Sequence, residues 1–152
     1  MSAAKKLEAE ARERWTTNPH EALLLLKHVC HTLREARRAD RITPWRGSVE
    51  IPPYGRFRFT DSVVLDDVLY SYAYSLGDYE AAMDLCSEPP LLASMIDRQV
   101  DCLVAMRRQK DAVALLQKNL HLDNRRGDLH RRLGELSGGQ PGGPAAIPDQ
   151  SN

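Results

Sequence analysis

Apolar residues recur every three or four positions along most of this chain, and the pattern breaks off once, between Asp40 and Thr60. Leu7, Ala11 and Trp15 form a thin stripe through a run of strong helix formers, which predicts a helix over Ala3–Trp15. Thr17-Asn18-Pro19 punctuates it, with Asn18 suited to cap and Pro19 to open the next helix. That helix is expected from about His20 to Ala39, with Ala22, Leu25, Leu26, Val29, Leu33 and Ala36 on its main face. Leu23 and Leu24 widen this face, so the helix should meet neighbours on two sides. Beyond the break the pattern predicts helices over Val63–Leu76, Tyr79 to about Ser87, Leu91–Met106, Gln109–His121 and Arg125–Leu136. Asp61 or Ser62 is placed to cap the first of these, and Pro89-Pro90 to end the second. The expected fold class is all-α: one helical domain over residues 1–136 with a non-helical insertion at 40–60. Residues 137–152, rich in glycine and proline, are expected to form a disordered tail.

The insertion holds Pro44, Gly47, Pro52, Pro53 and Gly55, which exclude a long helix. Arg56-Phe57-Arg58-Phe59 alternates, as a short strand or an extended strap would. Both phenylalanines of the chain lie here with Trp45 and Tyr54, so the segment is not a solvated linker. About twenty residues without a helix is long for a connection in a compact domain, and such loops often carry function. In one reading the aromatics dock on the helices while the arginines reach outward. In the other, Trp45, Tyr54, Phe57 and Phe59, interleaved with Arg46, Arg56 and Arg58, contact a partner, or stack on bases and meet phosphates. Pro52-Pro53-Tyr54 lacks the spacer of a Pro-Pro-x-Tyr ligand.

Two stretches read as one helical hairpin written twice. Leu76-Gly77-Asp78-Tyr79-Glu80-Ala81-Ala82 and Met106-Arg107-Arg108-Gln109-Lys110-Asp111-Ala112 each bring a helix to a polar turn, then a small alanine for close crossing. With Leu116 and Leu120 at the large apolar positions of the second copy, and Leu133-Gly134 in the last helix, the region Val63–Leu136 resembles the tetratricopeptide family. The resemblance implies a short right-handed stack of antiparallel helical hairpins with a concave face lined by first helices. It places Val64, Asp67, Ser71 and Tyr74 on that face in one copy, and Asp97, Arg98, Asp101 and Val104 in the other. The departures are plain. Ala82 and Ala112 stand 30 positions apart, against the 34 of the family unit. Tyr70 and Val100 occupy a position the family gives to glycine, and the insertion has no counterpart in it. The lysine and asparagine set of chaperone-tail clamps is missing; Ala4, Glu8, Asp67 and Asp101 stand on those faces instead.

Lys plus Arg equal Asp plus Glu at 21 each, so no global field draws in nucleic acid or membrane. The charge is nevertheless uneven. Asp61 to Leu92 carries seven acids and no Lys or Arg, whereas seven arginines between Arg34 and Arg58 outnumber Glu35, Asp40 and Glu50. Cys30, Cys86 and Cys102 form an odd, scattered set without a disulfide framework, which favours a reducing, cytoplasmic compartment. No apolar signal region opens the chain, and the run Ala22–Leu26 is far too short to span a bilayer. His28, Cys30 and His31 lie close together, but no second pair supplies the remaining ligands of zinc. No nucleophile–base signature or phosphate-binding glycine loop occurs, so neither catalysis nor a cofactor or metal is expected.

These features lead to an expectation of a non-catalytic adaptor, scaffold or chaperone-like subunit that binds a partner protein. The candidate contacts are Asp67, Ser71, Tyr74, Asp97, Arg98 and Asp101, suited to a basic peptide, and Trp45, Phe57 and Phe59 on the strap. Helix 20–39 offers a route to a homodimer. An RNA- or anionic-surface-binding module using residues 34–59 is the alternative, opposed by the neutral total charge.

Overall fold

Helices begin where a side chain can serve their unpaired first amides. In the computed structural model, which describes residues 1–138, Ser2 accepts the Lys5 amide and opens α1 (Ala3–Thr17). Asn18 then accepts the Glu21 amide with Pro19 at the first position of α2 (Pro19–Arg38). Five further helices follow the insertion and its short strands: α3 (Phe59–Ser75), α4 (Tyr79–Leu85), α5 (Ala93–Ala105), α6 (Gln109–Lys118) and α7 (Asp128–Gly138). The described residues thus form seven helices and one two-stranded sheet, and the all-α expectation holds. They divide into two compact units, residues 1–78 and from Tyr79 onward.

In the first unit, α2 packs against both α1 and α3, as its broad apolar face requires. Leu26, Val29, Leu33 and Ala36 of α2 are fully buried, with Leu7 and Ala11 of α1 and Leu65 and Ala73 of α3. Trp15 meets Tyr72 edge-on at 4.8 Å, joining α1 to α3. The basic and acidic segments do lean on each other: Arg37 bonds Asp66 at 3.0 Å and Arg34 stands 4.0 Å from it. Cys30 donates its thiol to the Leu65 carbonyl, and burial, then the Asp66 carboxylate, push that thiol up to about 12. It is a core group, which removes it from any metal reading with the exposed His28 and His31.

The second unit buries Ile96, Val100, Leu103, Ala112, Leu116 and Leu129 as one cluster. Here α5 touches α4, α6 and α7. Gln99, buried, donates to the Cys86 carbonyl at 2.6 Å and so satisfies the carbonyl that follows the end of α4. α6 stops at Lys118, earlier than its apolar period predicts, because Asn119 turns its amide group onto the Leu115 carbonyl and a 3₁₀ turn, Leu120–Leu122, follows. α7 starts at Asp128 rather than Arg125. Gly127 precedes it without a side chain, and Asp123 accepts the Leu129 and His130 amides in its stead. Burial opposes the Asp123 charge, but His130 and three backbone amides hold its carboxyl well below the usual range. Ser137 and Gly138 continue α7, so the tail expected from residue 137 is helical at its first two positions; the rest of it, 139–152, lies outside the described residues.

The twice-written turn takes the same backbone form in each unit. Gly77 (φ +79°) donates to Tyr74 O while Asp78 donates to Ala73 O. Arg107 (φ +61°) donates to Val104 O while Arg108 donates to Leu103 O. Both are left-handed helix C-caps. The second copy holds this conformation with an arginine, at the steric cost glycine avoids. Ala82 and Ala112 are both fully buried.

Candidate binding cleft on the strap

The strap begins where α2 ends. Asp40 takes a left-handed conformation (φ +58°), and the Arg41 amide closes back on Ala36 O at 2.9 Å. Ile42, almost wholly buried, pins the next residue to the core. Thr43-Pro44-Trp45-Arg46 is then a tight turn, with Pro44 at its second position and the Arg46 amide reaching the Thr43 carbonyl at 3.3 Å. Thr43 Oγ1 accepts the Trp45 and Arg46 amides as well, which stiffens the turn. Its geometry leaves Trp45 89% exposed, an unusual state for a tryptophan. Gly47 (φ +92°) is obligatory here, because a Cβ would stand 2.1 Å from the Arg41 carbonyl oxygen.

β1 (Val49–Ile51) and β2 (Gly55–Phe57) follow as an antiparallel hairpin with Glu50 opposite Arg56. Alternation along β2 turns Phe57 inward, with no exposed surface, and leaves Arg56 and Arg58 on the open side. The hairpin lies against α1 and α2. Tyr54 donates to Glu10 Oε1 at 2.5 Å, and burial, then this bond, push its phenol up to about 12. Arg58 also precedes α3: its amide donates to Asp61 at 2.7 Å. Asp61 therefore sits inside the first turn, and Ser62 is buried and bonded to Phe59 O, so neither is the cap residue the sequence suggests.

These elements enclose an open cleft of about 430 Å³. Arg46, Arg56 and Arg58 line it with Trp45 and Phe59, and Ser48 and Thr60 add hydroxyls. Among the described residues no carboxylate stands at ion-pair distance from any of the three guanidiniums, although Glu50 faces Arg56 across the hairpin. The cleft therefore presents three positive groups beside an exposed indole.

The residues expected to bind a partner divide sharply. Trp45 and the half-buried Phe59 line the cleft, whereas Phe57 is core and is withdrawn as a contact. In the first unit Asp67 and Ser71 are exposed on α3, and Tyr74 stacks on Tyr70 with 5.9 Å between ring centres. In the second unit Asp97 and Asp101 of α5 are both bonded by Arg132 of α7, at 2.7 and 2.6 Å, beside the half-buried Arg98. Burial opposes the Arg132 charge, but Asp101 and Asp97 hold it more firmly protonated than a free guanidinium. The acidic face of α5 is thus already answered from within its own unit. Reading the sequence missed Arg132, which only the docking of α7 on α5 brings to that face. The sequence does point to Arg46, Arg56 and Arg58, through their alternation with aromatics, and all three line the cleft.

No family model, curated protein or solved structure matches the chain. Among the described residues no helix is long and apolar enough to cross a membrane, and no cluster of His, Cys, Asp or Glu is arranged to hold a metal ion.

Proposed function

We propose that this chain is a non-catalytic interaction module, an adaptor or chaperone-like subunit, that captures a segment of a partner protein at the strap cleft. One observation carries the reading: Arg46, Arg56 and Arg58 share a cleft with an indole that is 89% exposed, and among the described residues no carboxylate is at ion-pair distance from them. A protein does not keep such a group ordered in water for stability, since an exposed tryptophan contributes nothing to the core and lone arginines repel one another. Both become favourable when a ligand covers them, and tryptophan and arginine are the residues that dominate binding energy at interfaces. The basic-peptide reading of the α5 face is weaker, because Asp97 and Asp101 already have a cation.

The tetratricopeptide-like stack remains part of this proposal, supported by the two matching turns and the buried Ala82 and Ala112. Leu24 of α2, 65% exposed, supports a dimer contact on that helix. A reducing, cytoplasmic setting suits three buried cysteines.

The test is affinity capture with mass spectrometry on wild type, a Trp45→Ala/Arg58→Ala variant and an Asp97→Asn/Asp101→Asn variant. Partners should disappear with the strap variant and persist with the α5 variant. An identical partner list from all three would refute the cleft as the docking site.

A further inference from the structure

The charge of the cleft says more about its ligand than that it is a protein segment. Arg46, Arg56 and Arg58 line one recess of about 430 Å³, and among the described residues no carboxylate is at ion-pair distance from them, although Glu50 stands opposite Arg56. A single carboxylate engages one arginine through two parallel hydrogen bonds and leaves the others unanswered. A phosphate monoester carries close to two charges and three acceptor oxygens on one atom, which suits several arginines at once. The remaining donors fit the same group. Ser48 and Thr60 place hydroxyls on the lining, and Phe59 and Thr60 begin α3, where the first backbone amides have no partner within the helix. Trp45 and Phe59 form the apolar part of the wall, so the anion should be followed or preceded by an apolar side chain.

A long polyanion fits less well. The chain is neutral overall, and the stretch from Asp61 to Leu92 that follows the cleft holds seven acids and no Lys or Arg. An extended nucleic acid gains from many phosphate contacts in series. This surface offers one compact basic recess instead, matched to one concentrated anionic group.

Resting on the reading that the strap docks a partner protein, we infer that the cleft recognises a phosphorylated side chain next to an apolar residue in that partner's segment. Arg46, Arg56 and Arg58 would hold the phosphate and Trp45 the neighbouring apolar group. Binding would then depend on modification of the partner, which makes the module a reader of phosphorylation state.

The experiment uses the full chain and peptide libraries with phosphoserine, phosphothreonine or phosphotyrosine at a fixed centre and randomised flanks. Matched libraries carry the unmodified residue or glutamate at the centre. The sequence selected is then measured by fluorescence polarisation, with a twelve-nucleotide oligouridine as competitor. The phosphopeptide should bind at least roughly tenfold more tightly than its glutamate and unmodified forms. Arg56→Ala/Arg58→Ala should weaken it by roughly tenfold or more, and Trp45→Ala should weaken selected peptides with an apolar neighbour most. All three residues are exposed, so circular dichroism of the variants should match wild type. Equal affinity for the glutamate form overturns the phosphate inference and leaves an acidic-segment dock in place. Selection of no peptide, while strap variants still lose captured partners, overturns this inference alone. Tight, steeply salt-dependent oligouridine binding with no peptide selected overturns both readings.

Discussion

Arg58 on the strap and Arg132 on α7 are the same residue in opposite circumstances. Arg132 lies across α5 with Asp97 and Asp101 at hydrogen-bond distance, and its charge helps hold one helix of the second unit to another. Arg58 lines an open cleft with Arg46 and Arg56, and among the described residues no carboxylate is at ion-pair distance from any of them. In the second unit, the acids singled out for binding already have a partner from a neighbouring helix. In the first, the available charge stands on the segment that breaks the helical pattern. A charged face on a regular helix is easily answered by the next helix packed on it. A stiff turn projecting from the core, like Thr43–Arg46, offers its side chains to solvent and to ligands. On the proposed reading, binding follows the interruption in the helical pattern more closely than the helices themselves.

That contrast can be broken at several points. The largest effect is expected within the strap, between its two aromatic roles. Phe57→Ala should lower unfolding free energy by about 3–5 kcal/mol in urea titrations, because it empties a fully enclosed site. Trp45→Ala should change it by no more than about 0.5 kcal/mol while removing partner capture. Comparable losses from both would mean that the strap is purely structural.

Next comes the turn that shapes the cleft. Gly47→Ala puts a methyl group onto the Arg41 carbonyl at a positive φ, and a destabilisation of about 1–3 kcal/mol is expected. Captured partners should be lost in the same variant. Retained stability would show that the loop can rebuild without the left-handed residue.

The two arginines themselves give a smaller difference. Arg132→Met should cost about 1–2 kcal/mol, since it leaves two partly screened carboxylates without their donor. Arg58→Met should be nearly neutral for stability and harmful for binding. A double-mutant cycle of Arg132→Met with Asp101→Asn measures the coupling directly, and zero coupling would remove the contrast.

The last effect is confined to alkaline solution. Tyr54 is neutral in the fold as the donor to Glu10, with its phenol pushed up to about 12 from the usual value of 10.0. Its contribution is complete below the unfolded value and is lost as pH rises through the folded one, so stability should fall between pH 10 and 12. Tyr54→Phe should flatten that part of the curve, and an unchanged slope would place its origin elsewhere.

Much of this architecture can be read without coordinates. The stripes through Leu26, Leu33, Ile96, Val100 and Leu116 predict helices whose faces are buried as expected, because burying a face requires the helical period. Asn18-Pro19 and Gly77 mark boundaries where caps and left-handed residues are demanded by local chemistry alone. Boundaries drift where a polar side chain outside the apolar stripe decides them: Asn119 closes α6 after Lys118, and Asp123 opens α7. The site is less legible. Trp45 and Phe57 look alike as aromatics of one polar, proline-rich segment, yet one is solvated and the other enclosed.

The order of residues is enough to specify an all-helical chain, its one interruption and the repeated turn, because periodicity, capping and backbone sterics act over a few residues. It does not specify which charges are answered. That depends on whether a carboxylate from a remote segment arrives within hydrogen-bond reach, as Asp66 does for Arg37 and Asp101 for Arg132. Tertiary packing made that choice, and among the described residues it brought no carboxylate to ion-pair distance of the three arginines beside Trp45, although Glu50 stands opposite Arg56 and Asp61 accepts the Arg58 amide.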